Sequence, residues 1–297
     1  MSSSTSTSKR WLLFYLAALL LAVGIGWVYA SRFEPETQFW VEVFQKRRDE
    51  ITKRSDEPHV IFTGDSACSF GIDTESFQEA SGMPAFNLGG TRQMGMGIFM
   101  EEALRQTRSG DFVVLICNPK LLAEGSSPQL TKAGAQMALA MASDTHISDK
   151  VTASRPGFNH LITHAAKMAL RRPAFAYRLE DYRAGGLITT EERPGQSGQK
   201  EVFEMSPSEI ASASKALEHW AERCEKAGAS LVYLMPLEFT APEALALNRR
   251  QKEALRLKFA KNVSSVHFPE PPRQACSSGA VLFADTLFHL TEDGAAT

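Results

Sequence analysis

The spacing of apolar residues changes in blocks along the chain. From Trp11 to Ala30 they run almost unbroken and without a charge, which is long enough for a helix to cross a bilayer. From Pro35 to about Arg54 the sequence is polar and charged, with Phe39, Trp40, Val43 and Phe44 falling on one side, and this predicts an amphipathic stalk helix within residues 31–56. Short apolar runs then recur at His59 to Thr63, Pro84 to Leu88, Phe112 to Cys117, Ser230 to Met235 and Val263 to His267. These predict strands, with helical patterns between them, and such alternation implies an α/β fold with a parallel sheet and right-handed crossovers. One helix start is clearly signalled. Ser206 is placed as N-cap, Pro207 as first helical residue and Glu209 as capping-box partner, ahead of Ile210, Ala213, Leu217, Trp220 and Cys224 on one face. Residues 121–203 differ, mixing Ala/Met-rich helical patterns with a polar stretch, and predict a helical insertion in the domain of residues 57–297.

The N-terminal block decides where any chemistry takes place. Lys9 and Arg10 end a polar leader of residues 1–10, and residues 11–30 predict an uncleaved signal anchor in the inner membrane with the domain beyond it periplasmic. Val28-Tyr29-Ala30 resembles a cleavage site, so a cleaved signal peptide is the competing reading, and both readings export the remaining chain. With 32 basic and 34 acidic residues the chain carries no global field pointing to nucleic acid. The four cysteines, Cys68, Cys117, Cys224 and Cys276, lack metal-ligand spacing and read as buried thiols or as disulfides. His160 and His164 lie four apart without an evident third ligand.

Four segments fall at the carboxyl ends of predicted strands or in the final loop, the edge where open α/β sheets place their ligands. They are Gly64-Asp65-Ser66, Asn87-Leu88-Gly89-Gly90, Cys117-Asn118-Pro119 and the stretch from Asp285 to His289. Acyl transfer needs these residue types. A serine hydroxyl is a weak nucleophile near neutral pH, so Ser66 requires a base, which His289 supplies, with Asp285 holding the imidazole. The Ser66 backbone N–H, a glycine N–H from Gly89 or Gly90, and the Asn118 amide are the expected donors to the oxyanion. Asp65 reads more readily as a turn former than as a catalytic acid, and Arg92 as a solvated loop arginine rather than a contact for an anionic substrate group. The remaining histidines read as surface or structural.

In that order and context the motifs resemble those of the SGNH (GDSL-type) hydrolase superfamily. Ser66 matches the nucleophile of the first block, Gly89 the oxyanion glycine of the second, Asn118 the asparagine of the third, and Asp285 with His289 the last block's acid and base. The third block departs from Gly-x-Asn-Asp, reading Ile116-Cys117-Asn118-Pro119, and Asp285 and His289 stand one residue further apart than in Asp-x-x-His. Similar spacing resembles that of membrane-anchored envelope proteins of the superfamily. The resemblance spans about Val60 to the C-terminus. It implies a three-layer α/β/α sandwich with a central parallel sheet, and ester hydrolysis or O-acyl transfer without a metal or organic cofactor. The expected substrate is an acylated, chiefly acetylated, envelope or exported glycan, with a membrane acyl donor or a polysaccharide assembly protein as partner. The alternative expectation is a catalytically silent domain of the same fold that binds glycan or serves as a scaffold.

Overall fold

Strand β1, Val60–Gly64, is buried along its whole length and occupies an interior position in a sheet of five parallel strands. The computed structural model describes residues 4–32, 35–53, 56–124, 161–163, 165–167, 169–170, 177–183, 186–189, 198–269, 276–279, 282–284, 288–291 and 295. Besides β1 the main sheet contains β2 (Ala85–Gly89), β3 (Phe112–Ile116), β4 (Ser230–Leu234) and, after a short β5 (Glu238–Phe239), β6 (Val266–His267). The order is β2-β1-β3-β4-β6, so the strand order reverses between β1 and β3. β5 pairs separately with β7 (Cys276–Ser277). The five strands predicted from apolar runs are all present, four of them within one residue at each end and β6 beginning three residues later than expected, while the β5/β7 pair is not anticipated.

Register levels the carboxyl edge. Gly64 at the end of β1 lies beside Gly89 of β2 on one side and Ile116 of β3 on the other. Alternate residues of β1 meet helices on opposite faces, as a strand buried on both sides requires. The Phe62 ring lies 5.1 Å from Phe77 of a helix at Thr74–Ser81. The Thr63 hydroxyl donates to the Phe99 carbonyl, at 3.2 Å, in a helix at Met96–Gln106.

In chain order the helices used below are α1 (Ser4–Arg32), α2 (Pro35–Thr52), α3 (Ser66–Ser69), α4 (Thr74–Ser81), α5 (Met96–Gln106), α6 (Pro119–Ala123), α7 (Pro207–Lys226) and α8 (Pro242–Asn262). α7 has the predicted capping box: the Glu209 N–H donates to the Ser206 hydroxyl at 3.2 Å, and the Ser206 N–H donates back to the Glu209 carboxylate at 2.6 Å. Its buried residues include Ala213, Leu217, Trp220 and Cys224, and it packs on β4 and β6.

The chain divides into two units, Met1–Glu42 with Leu130–Ala176 and Val43–Gln129 with Tyr177–Thr297. In the first, Lys9–Gly26 is long and apolar enough to span a membrane, and Trp11 to Leu16 all present exposed side chains. In the second, the latter half of α2, predicted as the end of an amphipathic stalk, packs within the unit. Val43, Phe44, Arg47 and Ile51 are buried there, and Arg48 grips the buried Glu102 carboxylate of α5 through two bonds of 2.6 Å. Val43 and Phe44 of the predicted apolar side therefore lie in the core of the sheet unit. All four cysteines are buried free thiols. Most of the predicted insertion of residues 121–203 lies outside the described residues, as do His160 and His164.

Candidate active site

The turn that carries Ser66 begins with a position only glycine can fill. Gly64 has φ +147°, and a Cβ there would lie 1.7 Å from the Ile116 carbonyl oxygen of β3. The bare backbone lets the chain turn sharply off the strand beside its neighbour. Asp65 then locks the turn. One carboxylate oxygen accepts from the Ala67 N–H at 3.0 Å and so caps α3, and the other accepts from the Asn118 N–H at 3.1 Å. The Asp65 N–H in turn donates to the Ile116 carbonyl at 3.2 Å. Asp65 thus joins the ends of β1 and β3 at the point where the strand order reverses. Burial pushes its pKa upward, against the N–H groups of Asn118 and Ala67 and the charges of Arg92 and His289, which favour the carboxylate.

This clamp leaves Ser66 half-buried at the first position of α3, where an amide has no acceptor within its own helix. Asn118 is held at two atoms: its N–H donates to Asp65, and its side-chain oxygen accepts from the Lys120 N–H at 2.9 Å as N-cap of α6. The side-chain NH₂ is thereby turned away from α6.

The second predicted block is packed differently from the expectation. The Gly89 N–H donates to the Asn87 side-chain oxygen at 2.9 Å, and the Gly90 N–H donates to the Gly64 carbonyl at 2.8 Å. Both amides that were candidates for the oxyanion are therefore engaged inside the sheet edge, and neither points to an open position. Small size matters more at Gly89 than a free donor, because a Cβ there would lie 2.6 Å from the Ser69 nitrogen and 2.9 Å from the Cys68 Cβ. Arg92 is exposed and pairs with the Glu124 carboxylate at 2.7 Å, as a loop arginine would.

His289 comes to the Ser66 turn through its neighbours. The Leu290 N–H donates to the carbonyl of Phe70, the C-cap of α3, at 3.3 Å. The imidazole stacks on the Phe70 ring with centroids 4.1 Å apart and planes 14° from parallel. His289 is buried at 6% exposure, and its charge also bears on Asp65. Its loop is braced from behind, where the Ala284 N–H donates to the His289 carbonyl at 2.8 Å and the Thr291 N–H to the Leu282 carbonyl at 3.0 Å. Asp285 lies outside the described residues.

Sequence reasoning missed three contributors. Tyr177 places its hydroxyl 3.4 Å from His289 Nδ1 and its ring 4.9 Å from that of Phe70. Asn87 supports the strand end, its NH₂ donating to the Cys68 and Ile72 carbonyls at 3.0 Å each. Arg47 lies buried beneath the second block and donates to the carbonyls of Gly89 and Gly186. Burial drives its pKa downward. Neither Tyr177 nor Arg47 carries a local motif, whereas Asn87 opens the second block, in which only the glycines are assigned a role by sequence. Among the described residues no group of three or more His, Cys, Asp or Glu side chains could hold a metal ion.

No family model matches the chain, and no curated protein does. Among solved structures, one described as "a putative platelet activating factor from Streptococcus pneumonia" aligns over 95% of this chain and 94% of its own, at 11% identity and a TM-score of 0.35. A likeness of that degree carries no argument about this protein.

Proposed function

We propose that the protein is a membrane-anchored serine esterase or O-acyltransferase of the SGNH type, with a three-layer α/β/α domain outside the cytoplasm. Its substrate is an acyl ester, chiefly an acetyl ester, of an envelope or exported glycan. The observation that carries this reading is the pinning of the His289 loop to the Ser66 turn. Leu290 is bonded to the Phe70 carbonyl and the imidazole lies on the Phe70 ring, at the carboxyl edge where the strand order reverses between β1 and β3.

The steps follow from the residues. As the Ser66 oxygen bonds to the acyl carbon, its proton passes to His289, which afterwards returns a proton to the departing alcohol. Water or a second sugar hydroxyl then takes the acyl group from Ser66, giving hydrolysis or transfer. The developing oxyanion has the Ser66 N–H and the Asn118 NH₂ as donors. With the glycine amides engaged, the site has two donors rather than three, and the missing one corresponds to about 3 kcal/mol of transition-state stabilisation.

That same engagement favours the second reading, a silent SGNH-like domain that binds glycan or scaffolds an assembly complex. A fluorophosphonate probe on the full-length protein in detergent separates the two. Labelling that falls by about 10⁴-fold in Ser66→Ala and in His289→Ala, with unchanged thermal unfolding, supports the enzyme. A folded wild type that takes up no probe supports the scaffold.

A further inference from the structure

The segment carrying Tyr177 is tied to the catalytic edge at several points. Its Ile188 N–H donates to the Ser69 carbonyl of α3 at 3.0 Å, and Ile188 bridges back to Tyr182. The Gly186 carbonyl accepts from Arg47, which also bonds the Gly89 carbonyl at the end of β2. Gly186 itself sits where a Cβ would come within 2.9 Å of Asn87 Cβ. One strap therefore touches both the Ser66 helix and the second block. At its start Tyr177 packs on Phe70, the ring that also stacks on His289.

We propose that Tyr177 is a positioning residue for His289, its phenol oxygen accepting the Nδ1 hydrogen of the imidazole while Phe70 holds the ring plane. The inference rests on the reading of His289 as general base. For the base to take the Ser66 proton, the Nε2 lone pair must be free, so the hydrogen of the neutral ring belongs on Nδ1. The Tyr177 hydroxyl stands 3.4 Å from that atom, a long contact of the kind that tightens when substrate closes a site. A phenol is a neutral acceptor. It selects the tautomer and fixes the ring but stabilises the imidazolium less than a carboxylate does.

Tyr177→Phe tests the idea, since phenylalanine keeps the ring on Phe70 and removes only the hydroxyl. Fluorophosphonate labelling is expected to slow about 3- to 10-fold, the worth of one neutral hydrogen bond. In protein carrying ¹⁵N-histidine, the His289 ring nitrogens are expected to shift from the Nδ1–H form in wild type toward a mixture in the variant, with thermal unfolding unchanged. An unaltered His289 ring spectrum in Tyr177→Phe overturns the proposal. The spectrum also separates it from the enzymatic reading: if wild type takes up no probe, that reading fails, while the tautomer still decides the role of Tyr177.

Discussion

Replacing Asp65 with alanine removes at one stroke the cap of α3 and the side-chain bond that joins the end of β1 to the end of β3. The Ala67 and Asn118 amides lose their acceptors at a site where Asp65 is only 5% exposed. Each buried amide left without a partner costs about 1–3 kcal/mol. Part of that is returned, because the buried carboxyl is itself poorly solvated, as its raised pKa records. The expected net loss is about 3 kcal/mol, somewhat more than the ~1 kcal/mol typical of an N-cap removed alone. Asp65→Asn keeps an oxygen for Ala67 but turns an NH₂ toward the Asn118 N–H, so roughly half the loss remains. Urea unfolding followed by circular dichroism measures both. A difference below about 0.5 kcal/mol for Asp65→Ala refutes the clamp, being the size of an ordinary surface change. The pH dependence gives a second check. The folded carboxyl titrates above its ordinary value, so between the two values the unfolded chain has released a proton that the folded chain keeps. The stability from this group is therefore complete at acid pH and is lost as pH rises through that interval. Asparagine has no such step, and the Asp65→Asn penalty should shrink as pH rises. A penalty that grows with pH contradicts burial as the dominant influence on Asp65.

Gly64→Ala places a methyl 1.7 Å from the Ile116 carbonyl oxygen on a backbone of φ +147°, and a loss above about 4 kcal/mol is expected; a cooperative unfolding transition within a few degrees of wild type overturns that. Arg48→Met leaves the buried Glu102 carboxylate with Arg105, 3.4 Å away, as its remaining cation among the described residues, so the loss should fall near 3 kcal/mol, the low end for a broken buried pair. The double change Arg48→Met with Glu102→Met should recover most of it, and a double variant as unstable as the sum of the singles shows that the two residues do not act as a pair.

What could be read from the chain was what depends on local pattern. The runs ending at Thr63, Leu88 and Cys117 gave three neighbouring strands whose carboxyl ends prove to be level, because apolar strand segments bounded by Gly and Asn are marked in sequence. The Ser206 cap was legible for the same reason, since its partner is three residues away. Tyr177 and Arg47 were not. Tyr177 meets His289 across 112 residues and Arg47 meets Gly186 across 139, so no spacing rule connects either pair. Nothing local marks the basic cluster Lys46-Arg47-Arg48 for burial, but carbonyls and a buried carboxylate draw two of its members into the fold. The glycine amides illustrate the complementary error: their identity is visible, while the acceptors that engage them, the Asn87 side chain two residues back and the Gly64 carbonyl of the neighbouring strand, are not marked by any motif.

The departure at Ile116-Cys117-Asn118-Pro119 bears directly on whether Asn118 can serve an oxyanion. Proline disfavours the helical region in the residue before it, and Asn118 accordingly has φ −59° and ψ 131°, a conformation suited to an N-cap. Pro119 also occupies the first helical position, where a missing N–H leaves nothing unsatisfied. The Asn118 oxygen is then fixed by the Lys120 N–H and its backbone by Asp65, so the orientation of the NH₂ is set by two bonds on the chain itself. An aspartate at position 119 would supply neither the preset backbone angle nor the helix start. Pro119, where the expectation from Gly-x-Asn-Asp is an aspartate, therefore helps hold the Asn118 amide in place through local chemistry of its own.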